Sequence, residues 1–245
     1  MEYASKNILK WLRSLHYLKI RNKEQCFLIE GEKLINEAIQ FHSKNIRFLF
    51  YLDTYDFSNI AHEDYQVYKL KKTDLSKISG MKSPSKCFAV VDFISYPKNS
   101  DKGLALACDN IQDPGNFGTM IRTADWFNIE TIFASKNTVD KYNSKVIQST
   151  MGSIFRVNIE YVDLKEKFKE TNRKIVGTTL NGKELNKQTV FDSNAIILMG
   201  NEGKGISDDL LPFLDAELTI SGKGFAESLN VGVATGIFLA FFTSK

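Results

Sequence analysis

From residue 104 onward, mostly apolar runs alternate with segments of helical period. The runs are LALACD (104–109), TIFA (131–134), FRVNIEYV (155–162), KIVGTTL (174–180), AIILMG (195–200) and AELTIS (216–221). Helical stretches fall between them at 117–127, 144–151, 163–171 and 207–214, and a long apolar one closes the chain at 228–242. Strands without polar alternation need cover on both faces, and strand–helix alternation supplies it. The pattern predicts an α/β fold with a parallel sheet. The preceding part reads as a smaller α/β unit. It has a basic amphipathic segment at 7–18, a strand at 26–31 ending in Gly, and a helix at 32–41 with Leu34, Ile35, Ala38 and Ile39 on one face. Two further strands follow at 46–52 and 87–93. The polar stretch SYPKNSDKG reads as a linker. The expected organisation is thus 1–95, a linker at 96–103, and 104–245.

Charge is uneven although the net is only +3 over 245 residues. Residues 1–24 carry six Lys/Arg against two Glu, and residues 69–86 carry six Lys against one Asp. Two basic clusters in one small unit suit a polyanion held by counterion release. Three widely spaced cysteines and three histidines form no CxxC or Cys/His pattern, so no metal is expected, and the odd thiol count suits a reducing compartment. The first residues lack an apolar core of signal-peptide type, and the run at 231–242 is shorter than the roughly 18 residues of a membrane span. The expected location is cytoplasmic.

Ligands of doubly wound sheets bind at the carboxyl ends of strands, and three loops there are unusual. In DNIQDPGNFGTMIRTADW (109–126), Pro114-Gly115 makes a turn, Asn116 stands as an N-cap, and Arg122 lies among apolar neighbours with a stem able to snorkel. MGNEGKGIS (199–207) is glycine-rich but matches neither a P-loop nor a dinucleotide fingerprint, and Glu202 would repel a pyrophosphate. It suits a ligand with a cationic or hydroxyl-bearing part, or else a flexible turn. In ISGKGFAESLNVGVATG (220–236), Ser228 reads as an N-cap, and the amide of Asn230 needs a hydrogen-bond partner.

Together these segments resemble the SpoU/TrmH family of RNA ribose methyltransferases. The three family motifs match DPGNFGTMIRTA (113–124), GNEGKGI (200–206) and SLNVGVA (228–234); FLIEGEKLINEAI (27–39) and SPSKCFAVVDF (83–93) resemble the family's ribosomal-protein-like RNA-binding domain. One departure is Ile220-Ser221-Gly222, where the family usually has Ile-Pro-Met; the loop loses a stiff Pro and a packing Met. The resemblance implies a C-terminal trefoil-knotted parallel-sheet methyltransferase domain, a topology that pattern reasoning would not give, after a small N-terminal α/β RNA-binding domain. It implies a homodimer formed partly through the last helix. The implied donor is S-adenosylmethionine, lined by Thr179, Leu180, Gly200, Asn201, Gly203, Ile220 and Leu229. The implied acceptor is a ribose 2′-hydroxyl in structured RNA, ribosomal before transfer RNA, with Arg122, Asn116, Glu202, Ser228 and Asn230 as the catalytic set. Lys19, Arg21, Lys82 and Lys86 are expected to contact the RNA. The alternatives are a base methyltransferase, an RNA-binding or assembly factor without catalysis, and a nucleotide-binding protein.

Overall fold

A computed structural model describes residues 2–56, 65–96, 102–186 and 193–243. Much of the expected linker, 97–101, lies outside the described residues. In chain order the elements are β1 (Glu2–Tyr3), α1 (Lys6–Ser14), α2 (Leu18–Glu24), β2 (Cys26–Glu30), α3 (Glu32–His42), β3 (Ile46–Leu52), β4 (Gln66–Leu70), α4 (Lys72–Ile78), β5 (Cys87–Asp92), β6 (Ala105–Cys108), α5 (Pro114–Trp126), β7 (Thr131–Ser135), α6 (Ser144–Thr150), β8 (Asn158–Val162), α7 (Leu164–Glu170), β9 (Lys174–Glu184), β10 (Ala195–Met199), β11 (Ala216–Thr219) and α8 (Val231–Thr243). They form two compact units, residues 1–96 with 142–155, and residues 97–141 with 156–245.

The first unit holds a five-stranded mixed sheet in the order β1-β4-β3-β5-β2. Its core gathers Leu12, Leu15, Leu28, Phe50, Leu70, Ile78, Phe88 and Val90. The basic amphipathic segment at 7–18 falls on α1 and the first residue of α2, with a turn of the chain at Leu15–Tyr17 between them. Arg21 reaches back there, and its Nη1 donates to the carbonyls of Leu15 and His16, both at 2.8 Å. β4 and α4 are elements that the sequence pattern did not show. Residues 142–155 group with this unit although the pattern places them inside the alternating half. Tyr142 stacks on Phe27 at 4.1 Å and on Phe93 at 4.5 Å between centroids, its hydroxyl accepts from the Ile94 amide, and Gln148 donates to the carbonyl of Glu30.

The second unit is a six-stranded sheet, β11-β9-β10-β6-β7-β8, with every neighbouring pair parallel. β6 and β10 are fully buried along their length, as both-face coverage requires. The chain runs outward from β6 through β7 to β8, then returns to the other side of β6. β6 and β10 are therefore the adjacent strands at which the order reverses, and the crevice beyond their carboxyl ends is the place for a ligand. α8 crosses α5 closely: a Cβ on Gly232 would lie 3.0 Å from the Thr119 methyl, and one on Gly236 would lie 3.8 Å from that of Thr123. The helix expected at 207–214 is only a 3-10 turn, Leu211–Phe213.

Candidate active site

β6 is followed at once by Asp109, buried at 5% exposure. Its carboxylate accepts from both the amide and the hydroxyl of Ser207, at 2.8 and 2.7 Å. This pins the far end of the loop that leaves β10. The near end is Gly200, where a Cβ would stand 2.3 Å from the backbone of Gly205 and Ile206, so no side chain fits. Between them Asn201 closes the loop on itself. Its side-chain oxygen accepts from the amides of Gly203 and Lys204 at 3.0 and 3.1 Å, and its amide donates to the carbonyl of Asn110 at 2.7 Å. Asp109 and Ser207 escaped the sequence reading. The available signal was an acidic residue ending a buried strand, where no water can satisfy it.

α5 begins three residues earlier than its pattern indicates. Asp113, not Asn116, is the N-cap: its carboxylate accepts from the Asn116 amide at 2.8 Å, and Pro114 takes the first helical position. That leaves the Asn116 side chain free to bridge. Its Nδ2 donates to Glu202 at 3.1 Å, and its Oδ1 accepts from Asn230 Nδ2 at 2.7 Å. The N-cap of α8 differs in the same way. Asn230, not Ser228, caps it, with Oδ1 accepting from the amides of Gly232 and Val233 at 2.9 and 3.3 Å. Because the cap uses the Asn230 oxygen, its nitrogen must face Asn116. The direction of the whole chain is thereby fixed, Asn230 to Asn116 to Glu202, ending on a carboxylate. Glu202 also accepts from the amides of Asp113 at 3.3 Å and Gln112 at 3.5 Å. The loop carboxylate thus sits over peptide amides at the entrance to α5, where an anion is favoured. One hydrogen-bonded line joins all three loops.

Arg122 and Ser228 are not part of it. Both are exposed, and among the described residues neither makes a hydrogen bond or ion pair. The Arg122 stem does not snorkel into the core. Arg122 lies about 9 Å along α5 from Asn116, at the helical rise per residue, and on a different stripe of the helix.

The model of the SpoU rRNA Methylase family matches residues 103–240. The chain belongs to the SpoU rRNA methylase family. A second model, the MRM3-like substrate binding domain, matches residues 6–89. A curated relative, the 23S rRNA (guanosine(2553)-2′-O)-methyltransferase RlmP of Bacillus subtilis, is 33% identical over 98% of this chain and 97% of its own. Two solved structures are similar throughout. A TrmH-family protein from Porphyromonas gingivalis has a TM-score of 0.86 and 33% identity, covering 98% of both chains. An AdoMet-bound rRNA methyltransferase from Sinorhizobium meliloti has a TM-score of 0.86 and 27% identity, covering 99% of this chain and 97% of its own.

The residues expected to line the donor lie within β9 or follow β10 and β11. Opposite Glu217 and Leu218 the pairing skips from Gly177 to Lys183, so 178–182 bows out beyond the sheet. Thr179 in that bow donates to Glu217 at 3.0 Å. Leu180 is 72% exposed and Leu229 47% exposed, while Ile220 is half-buried. Apolar side chains at strand ends beside loop backbone fit a flat base and the aliphatic arm of a sulfonium better than a phosphate. No thiol competes as a nucleophile or ligand: Cys26, Cys87 and Cys108 are buried, and burial pushes Cys26 up to about 11 and Cys87 up to about 12. Among the described residues no three His, Cys, Asp or Glu gather as a metal site, and no helix is long and apolar enough to cross a membrane.

On the first unit the expected RNA contacts divide. Lys19, Lys82 and Lys86 are exposed. Arg21 is buried at 3% exposure and holds the Leu15–His16 carbonyls. It is withdrawn from the RNA-facing set, because a guanidinium buried against carbonyls cannot also reach a phosphate.

Proposed function

We propose that this SpoU-family methyltransferase transfers the methyl group of S-adenosylmethionine to a ribose 2′-hydroxyl of ribosomal RNA in the cytoplasm. The observation that carries the reading is the hydrogen-bonded line Asn230–Asn116–Glu202. It uses one residue from each family motif to lock three loops together at the switch point of the sheet. The cofactor, when bound, supplies an activated methyl on sulfur, so the protein has only to align acceptor with donor and manage the acceptor's proton. Thr179, Leu180, Gly200, Asn201, Gly203, Ile220 and Leu229 would line the donor side. Arg122 carries donors that find no partner among the described residues. The planar cationic fork of an arginine suits it to fixing the target phosphate and stabilising the developing alkoxide. Ser228, equally unengaged, would bond the ribose. Asn116, Glu202 and Asn230 act by holding the loops.

The ribose-2′-O assignment and the preference for ribosomal over transfer RNA are supported by the name of the Bacillus subtilis relative. The homodimer is proposed on α8: it carries no charged residue, with Val233 53% exposed and Ile237, Phe241 and Phe242 half-buried. The trefoil knot is proposed from family membership. The test is methyl transfer from labelled S-adenosylmethionine to 23S rRNA, with the modified nucleotide mapped by mass spectrometry. Label on a ribose supports the reading; label on a base, or none with cofactor bound, overturns it.

A further inference from the structure

Two segments of the first unit carry exposed apolar side chains on firmly held backbone, in a strongly basic setting. The first is the corner between α1 and α2. Its backbone is tied by Arg21 to the carbonyls of Leu15 and His16, by the Tyr17 amide to Ser14, and by the His16 ring to the carbonyl of Ile78 at 2.8 Å. Yet Tyr17 is 66% exposed and Leu18 50%. The second is the loop 79–86, clamped from below by Glu30, which is 7% exposed. The Glu30 carboxylate accepts from the Ser79 hydroxyl at 2.6 Å and the Ser85 amide at 2.8 Å, and the Met81 amide donates to Ser79. Met81 is 40% exposed. The segments adjoin, since a Cβ on Gly80 would lie 3.1 Å from the His16 ring. Arg13, Lys19, Lys82 and Lys86 are all exposed on them, and neither 13–19 nor 79–86 contains an acidic residue.

Cations alone would suit any RNA. Exposed aromatic and apolar side chains among them suit RNA whose bases are unstacked, because a duplex hides its base faces and offers only phosphates and hydroxyls. A stiff backbone behind the platform lowers the ordering cost of binding. We propose that the α1–α2 corner and the loop 79–86 form a docking face for an unpaired stretch of RNA, with a base stacked on Tyr17 and phosphates on Arg13, Lys19 and Lys82. The proposal rests on the RNA-methyltransferase reading and adds where, and in what form, the substrate is held.

The test uses the full chain and fluorescence anisotropy. The probes are a labelled oligouridylate of about ten nucleotides and an RNA duplex of equal length. Tyr17→Ala is expected to weaken oligouridylate binding about tenfold or more, while Tyr17→Phe stays within about twofold of the wild type. Tyr17→Ala should leave the salt dependence of binding unchanged, whereas Lys82→Glu should lower its slope by about one. Duplex affinity should respond to Lys82→Glu and not to Tyr17→Ala, which also controls for folding. Wild-type oligouridylate affinity in Tyr17→Ala, an equal loss for both probes, or a shift in sedimentation marking this face as a contact between copies would each overturn the proposal. If the Tyr17 effect holds but no methyl reaches ribosomal RNA, the docking face stands and the enzymatic reading fails.

Discussion

The α1–α2 corner and the middle of α5 each hold an arginine, and they use it in opposite ways. At the corner the chain leaves helical geometry, so the carbonyls just past the end of α1, those of Leu15 and His16, have no in-helix partner. Arg21 supplies the missing donors and is buried in doing so. In the middle of α5 every nearby carbonyl is already committed to the helix. Among the described residues Arg122 finds nothing to donate to, and its guanidinium stays in the open. The difference teaches that an arginine's role follows from which backbone groups around it are left unsatisfied. A fully used arginine contributes to the fold; an unused one beside a loop-built crevice is available to a ligand.

The strongest way to break this contrast is at Arg122. Arg122→Ala should cut methyl transfer about 10²–10³-fold, the scale for losing one donor to a developing oxyanion. Thermal stability and S-adenosylmethionine affinity by calorimetry should stay as in the wild type, since the side chain supports nothing within the chain. Turnover near normal, or a large fall in melting temperature, would refute the role given to it. At the corner the expectation reverses. Arg21→Ala should cost about 1–3 kcal/mol in urea unfolding by stranding one buried and one partly buried carbonyl. Arg21→Lys should recover little of this, because a point charge lacks the planar fork. A protein that loses RNA affinity but no stability would return Arg21 to the RNA face.

A smaller effect sharpens the contrast with a charge that is only half committed. Asp215 accepts from Lys174 and from the Ile175 amide. Partial burial on its own would raise its pKa, but these partners outweigh it and hold the carboxyl below its usual 3.8. A depressed carboxyl contributes stability above its unfolded value and loses it as pH falls through the folded value. Asp215→Asn should therefore be less stable than the wild type at pH 7 by under about 1 kcal/mol, given the exposure of the pair. The gap should close as pH drops below 3.8. A gap that persists there would assign the effect to the backbone bond alone.

Much of the second unit was legible because burial on both faces writes itself into composition. β6, β7 and β10 stand within a residue or so of their apolar runs. β4 and α4 were not legible: VYKL is half polar, and α4 hides its buried face among lysines. In the site, the residue types of all three loops were legible, but the division of labour was not. Asn116 and Ser228 had the right chemistry for caps. The caps went to Asp113 and Asn230 because the helices begin elsewhere, and capping depends on one residue's dihedrals, which its neighbours in sequence do not set.

By itself the sequence determined the alternating α/β architecture, the three loops after strands, and the basic character of the first hundred residues. Each of these depends on local composition and period. The tertiary structure alone decided that residues 142–155 pack with the first unit, that Glu202 reaches amides nearly ninety positions away, and which of two arginines is free. The first two turn on partners that lie far apart in the chain, and the third on whether the backbone beside an arginine leaves carbonyls unsatisfied within its reach, which residue identity does not state.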